Sequence, residues 1–123
     1  MFSNGRGVDL ALDHHRRSPY ENLFTNLDAG QGKRVWRCGG GRDLGAHCGG
    51  RGTFWNIKAS HTIPKPNDVF GPWSMNFVGV AMDLADQKED QKRWYEHSTP
   101  TPVHPLNIHE AQLKKRLSKK VKR

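Results

Sequence analysis

The sequence predicts an all-β fold, a solenoid of short stacked parallel strands followed by an extended strap and a C-terminal amphipathic helix. Three observations carry this expectation. Apolar residues come in brief β-branched and aromatic clusters separated by Gly, Asn, Asp and Pro, as strands bounded by turns do. Three of those clusters superpose, and the one sustained helical stripe lies at the end of the chain. Composition agrees: only 34% of the 123 residues are hydrophobic, and 13 glycines and 7 prolines punctuate them. A two-layer domain of this size would bury more apolar surface. Four tryptophans, five phenylalanines and two tyrosines nevertheless argue against disorder. The expected compromise is a loop-rich fold with a narrow core.

Residues 1–82 are read as coils of the solenoid. Leu23-Phe24-Thr25-Asn26-Leu27 is the first clear strand, closed by Asp28-Ala29-Gly30, and Arg34-Val35-Trp36-Arg37 is a shorter one before Gly39-Gly40-Gly41. Thr53 to Lys58 and Ser74 to Val80 complete the set. Asn26, Asn56 and Asn76 each precede an apolar residue, in steps of 30 and 20, which is the spacing of a repeat architecture. Stacked asparagines would satisfy one another and the turn backbone. Residues 59–73, with Pro64, Pro66 and Pro72, form a surface excursion. Residues 83–107 form an extended polar strap in which Trp94 and Tyr95 are the anchors. Residues 108–123 form the basic helix: Asn107 and Glu110 have the spacing of a capping box, and Leu113, Leu117 and Val121 repeat along one face. The helix is expected to cover the open end of the last coil, since a solenoid must hide its terminal core and strand edge.

Charge is concentrated rather than spread. Lys114 to Arg123 holds seven of the 20 basic side chains and no acid, leaving 13 basic against 12 acidic groups elsewhere. A general polyanion-binding body is therefore not implied. The tail is read as a solvated helix face, with a nucleic-acid- or membrane-binding arm as the competing use. No apolar run is long enough to span a membrane, and the first twenty residues carry no signal peptide, so any secretion signal is placed upstream of this piece. Cys38 and Cys48 could close a loop in an oxidising compartment or stay free thiols. His47 could supply one zinc ligand, but the spacing of a structural zinc site is missing, and no calcium loop or cofactor motif is present.

Several segments resemble bacterial pectate-lyase-like proteins: Asp13-His14-His15-Arg16 followed by Pro19-Tyr20-Glu21-Asn22-Leu23-Phe24-Thr25, then Gly52 to Ile57, and finally Asn107 to Leu113. The resemblance implies a right-handed parallel β-helix of which this chain is the C-terminal part, its first residues starting inside a coil. It further implies a secreted or periplasmic parent that binds or degrades acidic polysaccharide, and the remainder of that parent as a partner. A complete member is several hundred residues long, so most of a substrate groove would be missing here.

Lyase chemistry needs a cation for the uronate carboxylate, a base for the adjacent proton and an acid for the leaving oxygen. Asp13, His14, His15, Arg16 and Arg17 offer these types within five positions. In a strand Asp13, His15 and Arg17 would share one face and His14 and Arg16 the other. Arg37, Arg42, His47 and Arg51 lie along the glycine-rich stretch, where guanidinium groups and backbone amides could meet uronate or sulfate. Asp13, His14, His15, Arg17, Arg37, Arg42, His47 and Arg51 are the candidate substrate-binding residues; no catalytic residue and no metal ligand is assigned. A hydrolase would require two carboxylates brought together from Asp9, Asp13, Asp28 and Asp43, which spacing alone cannot place. The function expected is polysaccharide binding or cleavage, enzyme or not. A small nucleic-acid-binding protein acting through its tail is the alternative.

Overall fold

The computed structural model describes residues 1–16, 19–82, 93–96 and 102–121. Strands β1 (Phe2–Ser3), β2 (His14–His15), β3 (Leu23–Asp28), β4 (Cys38–Gly39), β5 (Thr53–Lys58), β6 (Met75–Val80) and β7 (Arg93–Glu96) precede helix α1 (Ile108–Val121). Five strands form one parallel sheet in the order β1-β3-β5-β6-β7, while β2 and β4 pair separately over two residues. The expected closed all-β solenoid is therefore corrected: the chain is a mixed α/β arrangement, a parallel sheet with one C-terminal helix. Glycine and proline explain the difference. The returns between the long strands carry Gly39 to Gly41, Pro64, Pro66 and Pro72, which cannot sustain ladder hydrogen bonds over several residues.

Register organises the core. Phe2 pairs with Phe24, Phe24 with Phe54, Phe54 with Phe77 and Phe77 with Tyr95. Neighbouring strands are about 4.8 Å apart, so in-register rings must stack. Their centroids follow at 5.0, 5.2, 5.0 and 5.1 Å, with interplanar angles no greater than 13°. Trp36 closes this aromatic column from the side, edge-on to Phe54 at 5.0 Å and to Phe77 at 5.3 Å. Phe70 completes the wall against Phe54 at 5.7 Å.

Strands β3, β5 and β6 coincide closely with the apolar runs that predict them. The expected strand Arg34 to Arg37 is instead a turn, closed by Arg37 N–H on the Arg34 carbonyl at 3.2 Å. Val35 and Trp36 are both buried, and consecutive strand residues point to opposite faces, so only a turn can bring both inward.

The asparagine ladder exists with different members. The rungs flanking Asn26 and Asn56 are Thr25–Trp55 and Leu27–Ile57, so these two stack as expected. Asn4 follows the Ser3–Thr25 rung and joins below them. Asn76, however, pairs with Thr53 and sits three residues out of register; Gly79 takes the fourth position. All four adopt left-handed backbone, with φ of 58°, 54°, 55° and 62°. Asn and Gly are the residues that tolerate this region. At Gly79 a Cβ would lie 2.4 Å from Asn56 Oδ1, so the top of the ladder excludes another asparagine.

The ladder holds the C-terminal segment. Asn56 Nδ2 donates to the Val103 and Leu106 carbonyls at 2.7 and 3.0 Å, and its Oδ1 accepts from Val103 N–H at 2.9 Å. Asn4 Oδ1 accepts from Asn26 Nδ2 and Asn107 Nδ2, and Asn4 Nδ2 donates to Glu110 Oε1 at 2.8 Å. Asn107 caps α1 through Glu110 N–H at 3.1 Å, so half of the expected capping box forms while the Glu110 carboxylate is diverted to Asn4. Ile108 N–H reaches Thr25 Oγ1 at 3.1 Å. The helix thus docks beside β1 and β3 by its first turn. It does not cover the last strand, and none of its residues is buried.

Arg93 fastens β7. Its guanidinium, with the side chain 5% exposed, donates to the carbonyls of Gly71, Pro66 and Asn67 at 2.9, 2.9 and 2.7 Å. Of the segment read as a strap, residues 83–92 and 97–101 lie outside the described residues.

Candidate functional site

The sequence-derived candidates separate in space. Arg17 lies outside the described residues. Asp13 and His15 project outward and face each other, with His15 Nδ1 3.5 Å from Asp13 Oδ2. His14 points the other way, as strand alternation requires, and is buried among Phe24, Phe54 and Phe70, nearest Phe70 at 4.4 Å. Its Nδ1 donates to the Leu12 carbonyl at 2.7 Å, which fixes the hydrogen on that nitrogen because a carbonyl can only accept. His14 is 3% exposed, its ring committed to this core contact, and it also lines the depression beside Phe2 and Phe24.

Burial is the main cause that pulls the His14 pKa below 6.5, only partly opposed by the Leu12 carbonyl and Asp13. Protonation therefore favours the unfolded chain, which binds the proton more readily. The His14 contribution to stability is complete above about pH 6.5 and is lost as pH falls below it, until the lower folded-state pKa is passed. Thermal melts across this range should show a declining midpoint in the parent chain and a flatter profile in His14→Phe. An equally steep profile in the variant would assign the effect to another group.

Arg37 and Arg42 also diverge from the remaining candidates. Arg37 lines a depression of about 350 Å³ with Lys33, Arg34, Trp36 and Lys65, and Arg42 begins an exposed single-turn 3-10 helix. Cys38 and Cys48 are free thiols. Cys48 lies against the Gly39 carbonyl at 3.5 Å, and burial, then the neighbouring Cys38, push its pKa up while Arg16 acts in the opposite sense. Among the described residues no three His, Cys, Asp or Glu side chains converge on a common metal position.

Arg51 lines a groove that the sheet register builds, and His47 packs against the Trp73 side of it. Two residues before the Leu23–Thr53 and Thr53–Asn76 rungs stand Glu21, Arg51 and Ser74, all at positive φ (60°, 50° and 50°). One residue earlier on each strand stand Tyr20, Gly50 and Trp73, with Tyr20 and Gly50 joined by a parallel bridge. Backbone hydrogen bonds lock this corner: Glu21 N–H to the Gly50 carbonyl at 3.0 Å and Arg51 N–H to the Trp73 carbonyl at 2.9 Å. Glycine in the middle position leaves a gap between two aromatic neighbours. A Cβ there would come within 3.0 Å of the Tyr20 ring. The resulting depression of about 390 Å³ is lined by Tyr20, Gly50, Arg51, Trp73 and Ser74.

Tyr20 and Trp73 are 42% and 47% exposed, large areas for rings that the core does not use. The Arg51 guanidinium lies 5.7 Å over the Tyr20 ring while its Nε pairs with Glu21 at 3.0 Å. His47 stands edge-on to Trp73 at 4.6 Å, and its buried Nδ1 has no hydrogen-bond partner. Planar apolar faces beside an oriented cation can take a flat ligand bearing a carboxylate. Sequence reasoning found Arg51 and His47 but missed Tyr20 and Trp73 as contact residues. The available signal was an aromatic beside glycine or proline at a turn, outside any apolar run.

Comparison with known protein families, characterised proteins and solved structures finds no match to this chain, and nothing in it identifies a pectate-lyase-like protein.

Proposed function

We propose that the chain binds acidic polysaccharide in the Tyr20–Arg51–Trp73 groove. One observation carries the reading: two exposed aromatic faces flank a guanidinium at a corner fixed by main-chain hydrogen bonds. Sugar rings present apolar faces suited to Tyr20 and Trp73, and a uronate carboxylate suits the η nitrogens of Arg51, whose Nε is held by Glu21. Binding, rather than cleavage, is the activity assigned. The exposed Asp13–His15 pair belongs to a different turn from Arg51 and does not line its groove.

Titration with an oligogalacturonate, followed by tryptophan fluorescence and calorimetry, tests the reading. Trp73→Ala and Arg51→Gln should each weaken binding about tenfold, the value of a charge-assisted contact or a stacked ring near 1.4 kcal/mol. A neutral oligosaccharide of equal length should bind less tightly and be indifferent to Arg51→Gln. Unaltered affinity in both variants, with folding intact, would remove the groove from consideration.

A further inference from the structure

Helix α1 combines features that its role in the fold does not use. Among the described residues its hydrogen bonds to the sheet come from its start, through Asn107, Ile108 and Glu110. Beyond that turn Leu113, Leu117 and Val121 are 36%, 51% and 87% exposed, and the i, i+4, i+8 spacing sets them along one edge of the helix. Lys114, Lys115, Arg116, Lys119 and Lys120 occupy the rest of the surface, with no acid after Glu110. Pairing with a second copy of the helix would bring these five cations against five more, so like-charge repulsion opposes self-association. A solvated tail would have no use for an aligned Leu-Leu-Val edge, and phosphate recognition would use only the cations. What complements both is a surface that is negative outside and apolar just beneath.

We propose that α1 is a docking element for anionic phospholipid surfaces, lying in the plane of the headgroups with Leu113, Leu117 and Val121 toward the acyl boundary. Its 14 residues are too short and too charged to cross a bilayer, and such helices rest on it instead. Lys114 and Lys120 flank the apolar edge, and their alkyl stems can lie along it while the ammonium groups stay at phosphate level. Because the first turn is pinned to Asn4 and Thr25, the sheet would be held at a fixed attitude to the surface.

Vesicle co-sedimentation of the full chain, with phosphatidylcholine alone and with added phosphatidylserine, tests this. Each cation near an anionic surface is worth about fivefold in affinity. The chain should therefore sediment with the mixed vesicles and not with the neutral ones, and Lys114→Gln/Lys120→Gln should bind about 25-fold more weakly. Leu113→Ser/Leu117→Ser should lose binding to a similar degree while keeping every charge. These side chains are outside the core, so unchanged far-UV dichroism and melting would separate loss of binding from loss of fold. No binding to mixed vesicles, or equal binding to neutral ones, would overturn the proposal. So would retention of vesicle binding in the Leu variant, which would make α1 a simple polycation. Parallel binding to double-stranded DNA, lost in the Lys variant and kept in the Leu variant, together with a lack of vesicle binding, would assign the helix to nucleic acid instead.

Discussion

Phe54→Ala is expected to destabilise the fold by about 3–5 kcal/mol, the cost of emptying a fully buried aromatic position. Phe54 stacks on Phe24 and Phe77, and receives the edge of Trp36 and the ring of Phe70. Removing its ring would interrupt the column at its centre, with neighbours fixed by sheet register and unable to close the gap. Domains are stable by only about 5–15 kcal/mol in total, so the variant should lose a large part of the folded margin. Urea titration followed by near-UV dichroism would report it. Phe2→Ala supplies the contrast, since Phe2 is 58% exposed and touches only one column member, Phe24. Its cost should stay near 1 kcal/mol, because less apolar area returns to water. Equal costs at the two positions would mean that the column is not a cooperative core.

The second large effect is expected at Asn56. Valine there would be forced into left-handed backbone, at about 1–2 kcal/mol, and would strip partners from the Val103 N–H and from the Val103 and Leu106 carbonyls, each hydrogen bond contributing about 1 kcal/mol. Asn56→Val should therefore cost about 4–5 kcal/mol and Asn56→Gly about 3 kcal/mol, since glycine keeps the backbone and loses only the amide. Amide exchange at Val103 should accelerate in both. If the glycine variant is as damaged as the valine one, the left-handed conformation contributes nothing and the amide alone matters.

These two positions show what was legible in the sequence. Strands β3, β5 and β6 could be read because each gathers aromatic, aliphatic and β-branched residues between turn residues, and the recurring asparagine pointed to rungs in a stack. The third rung was misread because alignment by Asn-apolar pairs makes Asn76 attractive, whereas the aromatic column aligns Phe77 with Phe54 and puts Gly79 beside Asn56. The all-β expectation overreached for a related reason. Strand-like composition at Val35 and Trp36 reflects packing into the core, not participation in a sheet. His14 shows the same ambiguity from the polar side: residue type suggested ligand contact, and only the parity of a two-residue strand turned it inward. The groove at Tyr20 and Trp73 was hardest to see, since it depends on two residues 53 positions apart being brought to either side of Gly50 by register alone.

The aromatic column joins residues separated by steps of 22, 30, 23 and 18 along the chain. Vertical alignment is thus indifferent to how much polypeptide is spent between rungs. Lineages carrying this architecture are free to lengthen or trim the returns, and to remodel whatever those returns display, while one residue added within β5 would turn its inner side chains outward. Variation should accordingly accumulate as insertions between strands, leaving the rungs themselves nearly constant in length.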